Sequence, residues 1–74
     1  MRIVVKLFAN LRDFGPKYQE LEVPDNFTLK ELINQLGIPE NYPMIKLVNG
    51  DFAELSYSFK DGDTVSLFPP IAGG

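Results

Sequence analysis

Few groups in this sequence could do chemistry, and the most distinctive is at its end. Leu67-Phe68-Pro69-Pro70-Ile71-Ala72-Gly73-Gly74 carries an apolar strand into two prolines and stops on two glycines. Proline lacks a backbone donor and holds φ at about −65°, so Pro69 and Pro70 should end sheet pairing and start an extended segment. Ile71, Ala72, Gly73 and Gly74 add little bulk, and glycine lets a backbone come close to another surface. The group projecting at the tip is the α-carboxylate of Gly74. Two other constellations are weaker. Asp61-Gly62-Asp63 has the acidic-glycine look of a metal loop, but the further ligands and spacing of a calcium site are missing, and a turn is the better reading. Glu20, Glu22 and Glu54 could be pictured as acid–base pairs. Glu20 and Glu22, however, flank an inward-facing residue on one exposed face, where solvation accounts for them. No side chain reads as a catalyst, and none as a metal ligand.

Composition narrows the chemistry further. The chain has 74 residues and no cysteine or histidine. That removes disulfides, zinc sites of the usual kind and any nucleophile activated by histidine. Ten acidic residues against seven basic ones give a net charge of −3. The basic residues Arg2, Lys6, Arg12, Lys17, Lys30, Lys46 and Lys60 are scattered, so no nucleic-acid partner is expected. The apolar runs are far shorter than the ~20 residues that span a bilayer, and no membrane association is expected. With no charged-then-apolar leader before the first strand, the expected location is the cytoplasm.

These end residues must be held by a small body, read as one domain over residues 1–74 with 68–74 as its extended tail. Residues 2–8 are β-branched and apolar; period two puts Ile3, Val5 and Leu7 on a core face and Arg2, Val4, Lys6 and Phe8 on the other. Gly15-Pro16 marks a turn. Residues 18–23 alternate, with Leu21 and Val23 inward, and should pair antiparallel with the first strand. Thr28-Leu29-Lys30-Glu31 fits a capping box, and Phe27 and Leu32 are placed for a hydrophobic staple. Leu29, Leu32, Ile33 and Leu36 follow helical spacing up to Gly37, a natural stop. Residues 44–48 form a strand, Asn49-Gly50 a tight hairpin turn, and 51–53 a brief return. Residues 54–59 are irregular or a single helical turn. In the last strand, 64–68, Val65 and Leu67 face inward and Phe68 outward.

The order β-β-α-β-β-β is α+β: a mixed sheet of four to five strands covered on one face by the single helix. The first and last strands, the most apolar, should lie side by side at the centre, an arrangement that resembles the ubiquitin-like β-grasp. Phe8 and Phe68 would then be neighbours on the face opposite the helix, with Phe52 joining from the hairpin. Such a cluster beside a projecting tail is either a docking patch or ordinary packing under a loop.

Phe8-Ala9-Asn10-Leu11-Arg12 and the ending from Asp61 to Gly74 resemble the MoaD/ThiS family of sulfur carriers, relatives of ubiquitin. Phe-Ala-x-Leu-Arg and Phe-Pro-Pro-x-x-Gly-Gly favour the small subunit of molybdopterin synthase; the short length and Asn49-Gly50 suit the thiazole-forming carrier equally well. The resemblance implies that an E1-like adenylyltransferase activates the Gly74 carboxylate with ATP, and that sulfur then displaces AMP to leave a thiocarboxylate. The tip would donate that sulfur to a pterin precursor inside the large subunit of molybdopterin synthase, or serve thiazole synthase. Conjugation through Gly74 to lysines, as in a protein modifier, is the alternative of another class. No cofactor is expected on this chain itself. Gly73 and Gly74 are the expected reactive end, and Phe8, Arg12, Phe52, Phe68, Pro69, Pro70, Ile71 and Ala72 the expected partner contacts.

Overall fold

A computed structural model describes residues 1–70 of the chain. Five strands form one sheet in the order β2-β1-β5-β3-β4. They are β1 (Arg2–Leu7), β2 (Tyr18–Glu22), β3 (Ile45–Val48), β4 (Asp51–Phe52) and β5 (Thr64–Phe68). β1 pairs antiparallel with β2 and parallel with β5, so the first and last strands are central neighbours as their apolar character requires. β3 runs antiparallel to both β5 and β4. This is the β-grasp arrangement.

The helix α1 (Leu29–Gln35) forms where its signals stand. Thr28 Oγ1 accepts from Glu31 N–H at 3.2 Å, and Thr28 N–H donates to Glu31 Oε1 at 3.0 Å. Two otherwise orphaned donors are thereby satisfied, a cap of about 1 kcal/mol. Gly37, at φ +81°, ends the helix in a conformation that a side chain would strain. Leu29, Leu32 and Ile33 join Ile3, Val5, Leu7, Val65 and Leu67 in one buried cluster, which also takes in Phe27, the staple residue. The helix therefore covers the face that carries the odd-numbered residues of β1 and β5. The even-numbered face is left without a covering layer.

One segment departs from what the local pattern suggests, and another takes the irregular form of the two expected for it. Ala9–Phe14 is a 3-10 helix, not the plain lead-in to a turn, and it buries Leu11 completely. Phe14 meets Tyr42 edge-on at 5.3 Å, and Asn10 Nδ2 donates to the Tyr42 hydroxyl, so this helix is tied to the loop after α1. Residues 54–59 are a turn without helix, joined to the start of α1 by a bridge between Thr28 and Ser58. Asn49 and Gly50 take φ of 52° and 88°, the two left-handed positions of the expected hairpin turn.

Candidate functional site

β1 and β5 run in the same direction, so both deliver an outward phenylalanine at one end of the sheet. Phe8 and Phe68 stack with ring centroids 4.5 Å apart and planes within 7°. Such a pair contributes about 1 kcal/mol beyond the area it buries. The Phe8 N–H donates to Leu67 O at 3.1 Å, which fixes the chain just before the 3-10 helix against the last strand. Phe68 stands opposite Ile45, and Leu47 opposite Phe52. Ile45, Leu47, Phe52, Phe68 and Pro69 consequently line one open apolar depression of about 320 Å³. Phe52 is 83% exposed, and the two-residue strand that carries it is the sheet's edge. No described segment lies over this patch as a lid: Phe8 and Phe68 shield each other, and Phe52 is open. Ile45 and Leu47 belong to the patch but were not singled out in the sequence. In Met44-Ile45-Lys46-Leu47-Val48 nearly every residue is apolar, so alternation does not say which side faces out. The register answers it: Lys46 stands opposite Leu67 on the helix-facing side, and Ile45 and Leu47 take the other.

Arg12 is exposed on the 3-10 helix that follows Phe8. Pro70 is exposed directly after Pro69, at the point where the chain leaves the patch. Ile71, Ala72, Gly73 and Gly74 lie outside the described residues. The structure thus brings Phe8, Phe52, Phe68 and Pro69 to one face, with Arg12 beside Phe8 in the chain.

Of the acidic candidates, Glu54 is exposed, and the others take structural roles. Glu20 and Glu22 pair with Arg2 at 3.6 and 2.7 Å on the exposed face. Asp61 Oδ1 accepts the Arg2 N–H at 2.8 Å, and Gly62 N–H donates to Arg2 O at 2.8 Å, so Asp61-Gly62-Asp63 is a turn tied to the start of β1. Asp63 is buried, a role the sequence reading missed. Its carboxylate accepts from Asn49 Nδ2 at 2.8 Å, the Tyr57 hydroxyl at 2.7 Å and the Lys60 N–H at 2.8 Å. Burial alone would push this carboxyl up, but the three donors together outweigh it and hold it below the ordinary value of 3.8. The same bond raises the Tyr57 hydroxyl above its ordinary value of 10.0, burial adding to it. Among the described residues, no three acidic groups gather as metal ligands. No helix among them is long and apolar enough to cross a membrane.

Known proteins are similar to this chain over its whole length. A family model described as the ThiS family matches residues 5–74. A Pyrococcus furiosus protein assigned as molybdopterin converting factor subunit 1 superposes with a TM-score of 0.80 at 28% identity, covering 96% of this chain and 99% of that one. SAMP1 of Haloferax volcanii gives 0.79 at 26% identity, with each chain covered in full. A chain from the complex of subunits 1 and 2 of the Helicobacter pylori molybdopterin-converting factor gives 0.71 at 26% identity, again with complete coverage of both. No curated protein matches. The β-grasp body, the apolar patch at the root of the tail and a family match that runs through Gly74 converge: the chain belongs to the ThiS family, among the ubiquitin-like sulfur carriers and modifiers.

Proposed function

We propose that the chain is a sulfur carrier of molybdopterin biosynthesis, acting as the small, sulfur-donating subunit of a molybdopterin synthase in the cytoplasm. The single observation that carries this reading is the family match extending to Gly74, in a chain whose described acidic side chains are structural or solvated. The likeness to subunit 1 of the molybdopterin converting factors supports the pathway. The reaction begins at the Gly74 carboxylate, a poor electrophile. An E1-like partner joins it to the α-phosphorus of ATP with release of pyrophosphate, giving an acyl adenylate. Hydrosulfide then attacks the acyl carbon, the bond to AMP breaks and a proton is released, so that a thiocarboxylate remains. A persulfide donor would give an acyl disulfide, which a thiol must cleave reductively to reach the same product. Its sulfur is a soft nucleophile that a large subunit directs at a pterin precursor. ATP is used by the partner, and this chain is consumed and recharged in each cycle.

Intact mass spectrometry tests the chemistry. After incubation with an E1-like adenylyltransferase, ATP and a sulfur donor, the mass should rise by the exchange of one oxygen for sulfur. An unchanged mass with several such enzymes overturns the proposal. A pull-down tests the pathway: a molybdopterin synthase large subunit should be recovered, and recovery of a thiazole synthase instead moves the chain to thiamine synthesis. The likeness to SAMP1 favours one second reading, a protein modifier joined through Gly74 to lysines. Under it, denaturing gels probed for this chain show higher-mass adducts.

The apolar patch supplies a further expectation. Phe52, exposed on the edge strand where it lines the apolar depression, has the character of an interface anchor. Phe52→Ala should weaken binding to the large subunit by about 2 kcal/mol, roughly thirtyfold, as measured by calorimetry. The melting temperature should hardly move, because the ring touches no buried core.

A further inference from the structure

Of Asn10, Asn26, Asn34, Asn41 and Asn49, only Asn49 is followed by glycine. The side-chain amide of an asparagine can be attacked by the backbone nitrogen of the next residue, and glycine, with no Cβ, leaves that nitrogen uncovered. Asn49 and Gly50 are both exposed, so burial does not shelter them. What holds the Asn49 amide is a bond at each of its ends. Nδ2 donates to Asp63 Oδ1 at 2.8 Å, and Oδ1 accepts the Thr64 N–H at 2.9 Å. The Asn49 N–H donates in turn to Thr64 O at 2.8 Å. Across the junction, Asp63 Oδ2 is committed to the Tyr57 hydroxyl and the Lys60 N–H. The β3–β4 turn and the 57–60 loop are thus tied to the start of β5, through polar atoms that match in only one arrangement of donors and acceptors.

We infer that Asn49 is a deamidation site that the fold keeps locked, and that the converted residue cannot rebuild the junction that held it. The reaction starts when the Gly50 nitrogen attacks Asn49 Cγ. The Gly50 N–H proton passes through water to the amide nitrogen, which leaves as ammonia when the Cγ–Nδ2 bond breaks. A succinimide ring remains, and water opens it at either carbonyl to give aspartate or isoaspartate, with no other reagent. In the folded chain Cγ cannot swing towards Gly50 until both ends of the amide are released. Each bond slows the reaction about fivefold, the two together about twenty-five-fold. In the unfolded chain neither obstacle exists. Both products are misfits. Aspartate sets a carboxylate oxygen against Asp63 Oδ1, two like charges where a donor met an acceptor. Isoaspartate adds a backbone carbon to a two-residue turn whose geometry leaves no place for it. Deamidation here is therefore a one-way chemical mark on chains that have opened at this turn. It does not depend on the proposed function, because it acts at the start of β5 and the tail leaves the other end.

Two measurements on the full chain decide it. In the first, the folded chain and the chain in guanidinium chloride are held at mildly alkaline pH. Peptide mapping by mass spectrometry follows the exchange of one NH group for oxygen at each asparagine. In the unfolded chain Asn49 should convert ahead of the other asparagines, and folding should slow it about twenty-five-fold or more. A folded rate equal to or above the unfolded one overturns the lock. In the second, Asn49→Asp stands in for the product and is compared by urea denaturation with the unmodified chain and with Asn49→Asp/Asp63→Asn. The double variant exchanges donor for acceptor. Its new amide oxygen at position 63 still serves Tyr57 and Lys60, and the new NH2 donates to the carboxylate at position 49. Asn49→Asp should lower the folding equilibrium constant about tenfold or more at neutral pH, and the double variant should recover most of that loss. Asn49→Asp as stable as the unmodified chain, or a double variant no more stable than Asn49→Asp, overturns the inference. Should Asn49→Asp fail to fold, folding of the double variant supports the inference and its failure overturns it.

Discussion

Deleting Gly73 and Gly74 is expected to abolish thiocarboxylate formation and all support of cofactor synthesis, with no change in melting temperature. One structural observation and the proposed chemistry lead to this expectation. Among the described residues the buried cluster ends at Leu67, so the body is expected to keep its melting temperature. The deletion also moves the terminal carboxylate back to Ala72, two residues short of where an activating enzyme would bind it. Gly74→Ala separates length from shape, since the carboxylate keeps its position and only a methyl group is added. If the tip must enter a narrow channel, the added Cβ displaces the reacting carbon, and a displacement of this size slows transfer about a hundredfold. Mass spectrometry of the sulfur-exchanged chain measures both variants, and thermal denaturation monitors the body. A deletion variant that still accepts sulfur, or still supports cofactor formation in cells, removes Gly74 as the reactive centre. A deletion variant that fails to fold shows instead that the end belongs to the body.

The body was legible in the sequence wherever its signals are local. The capping box at Thr28 and Glu31, the stop at Gly37 and the Asn49-Gly50 turn depend on neighbours a few residues apart, and each stands where its residues put it. Alternation in residues 2–7 was equally clear, because Arg2 and Lys6 mark one face and Ile3, Val5 and Leu7 the other. What was not legible depends on distant partners. Ala9–Phe14 has one buried residue, Leu11, and no repeat from which a helix could be read; its place is set by Tyr42, more than twenty-five residues away. Ile45 and Leu47 face outward only because β3 pairs with β5 in one particular register. The stacking of Phe8 on Phe68 could be anticipated, since it needs only the pairing of the two most apolar strands. The patch around it could not be drawn in full. In each case the missing information is a register or a long-range contact, which the composition of a single segment does not contain.

Asp63 is the extreme instance, an acidic residue that reads as a solvated turn and serves as a buried acceptor for three donors. Asp63→Ala is expected to cost about 3 kcal/mol, because it leaves the Tyr57 hydroxyl, the Lys60 N–H and the Asn49 amide without their acceptor in a buried site. That is a large share of the ~4–11 kcal/mol typical of a chain this size. Asp63→Asn is the more informative change. One amide oxygen can still serve Tyr57 and Lys60, but the new NH2 then faces the Asn49 NH2. Asn49 cannot turn its amide over to relieve this, because its Oδ1 already accepts the Thr64 N–H at 2.9 Å. Two donors in opposition should cost about 1–2 kcal/mol. The pH dependence has a definite sign. The carboxyl of folded Asp63 is held below its ordinary value of 3.8, so between the two values the unfolded chain binds the extra proton. Its contribution is complete above the ordinary carboxylate range and is lost as pH falls through the folded value. The stability gap between the unmodified chain and Asp63→Asn, measured by urea denaturation, should therefore be widest near neutrality and narrow in acid. A gap that stays constant from neutral pH into acid would mean that the ionised carboxylate contributes nothing, and that packing alone holds the turn between Lys60 and Thr64.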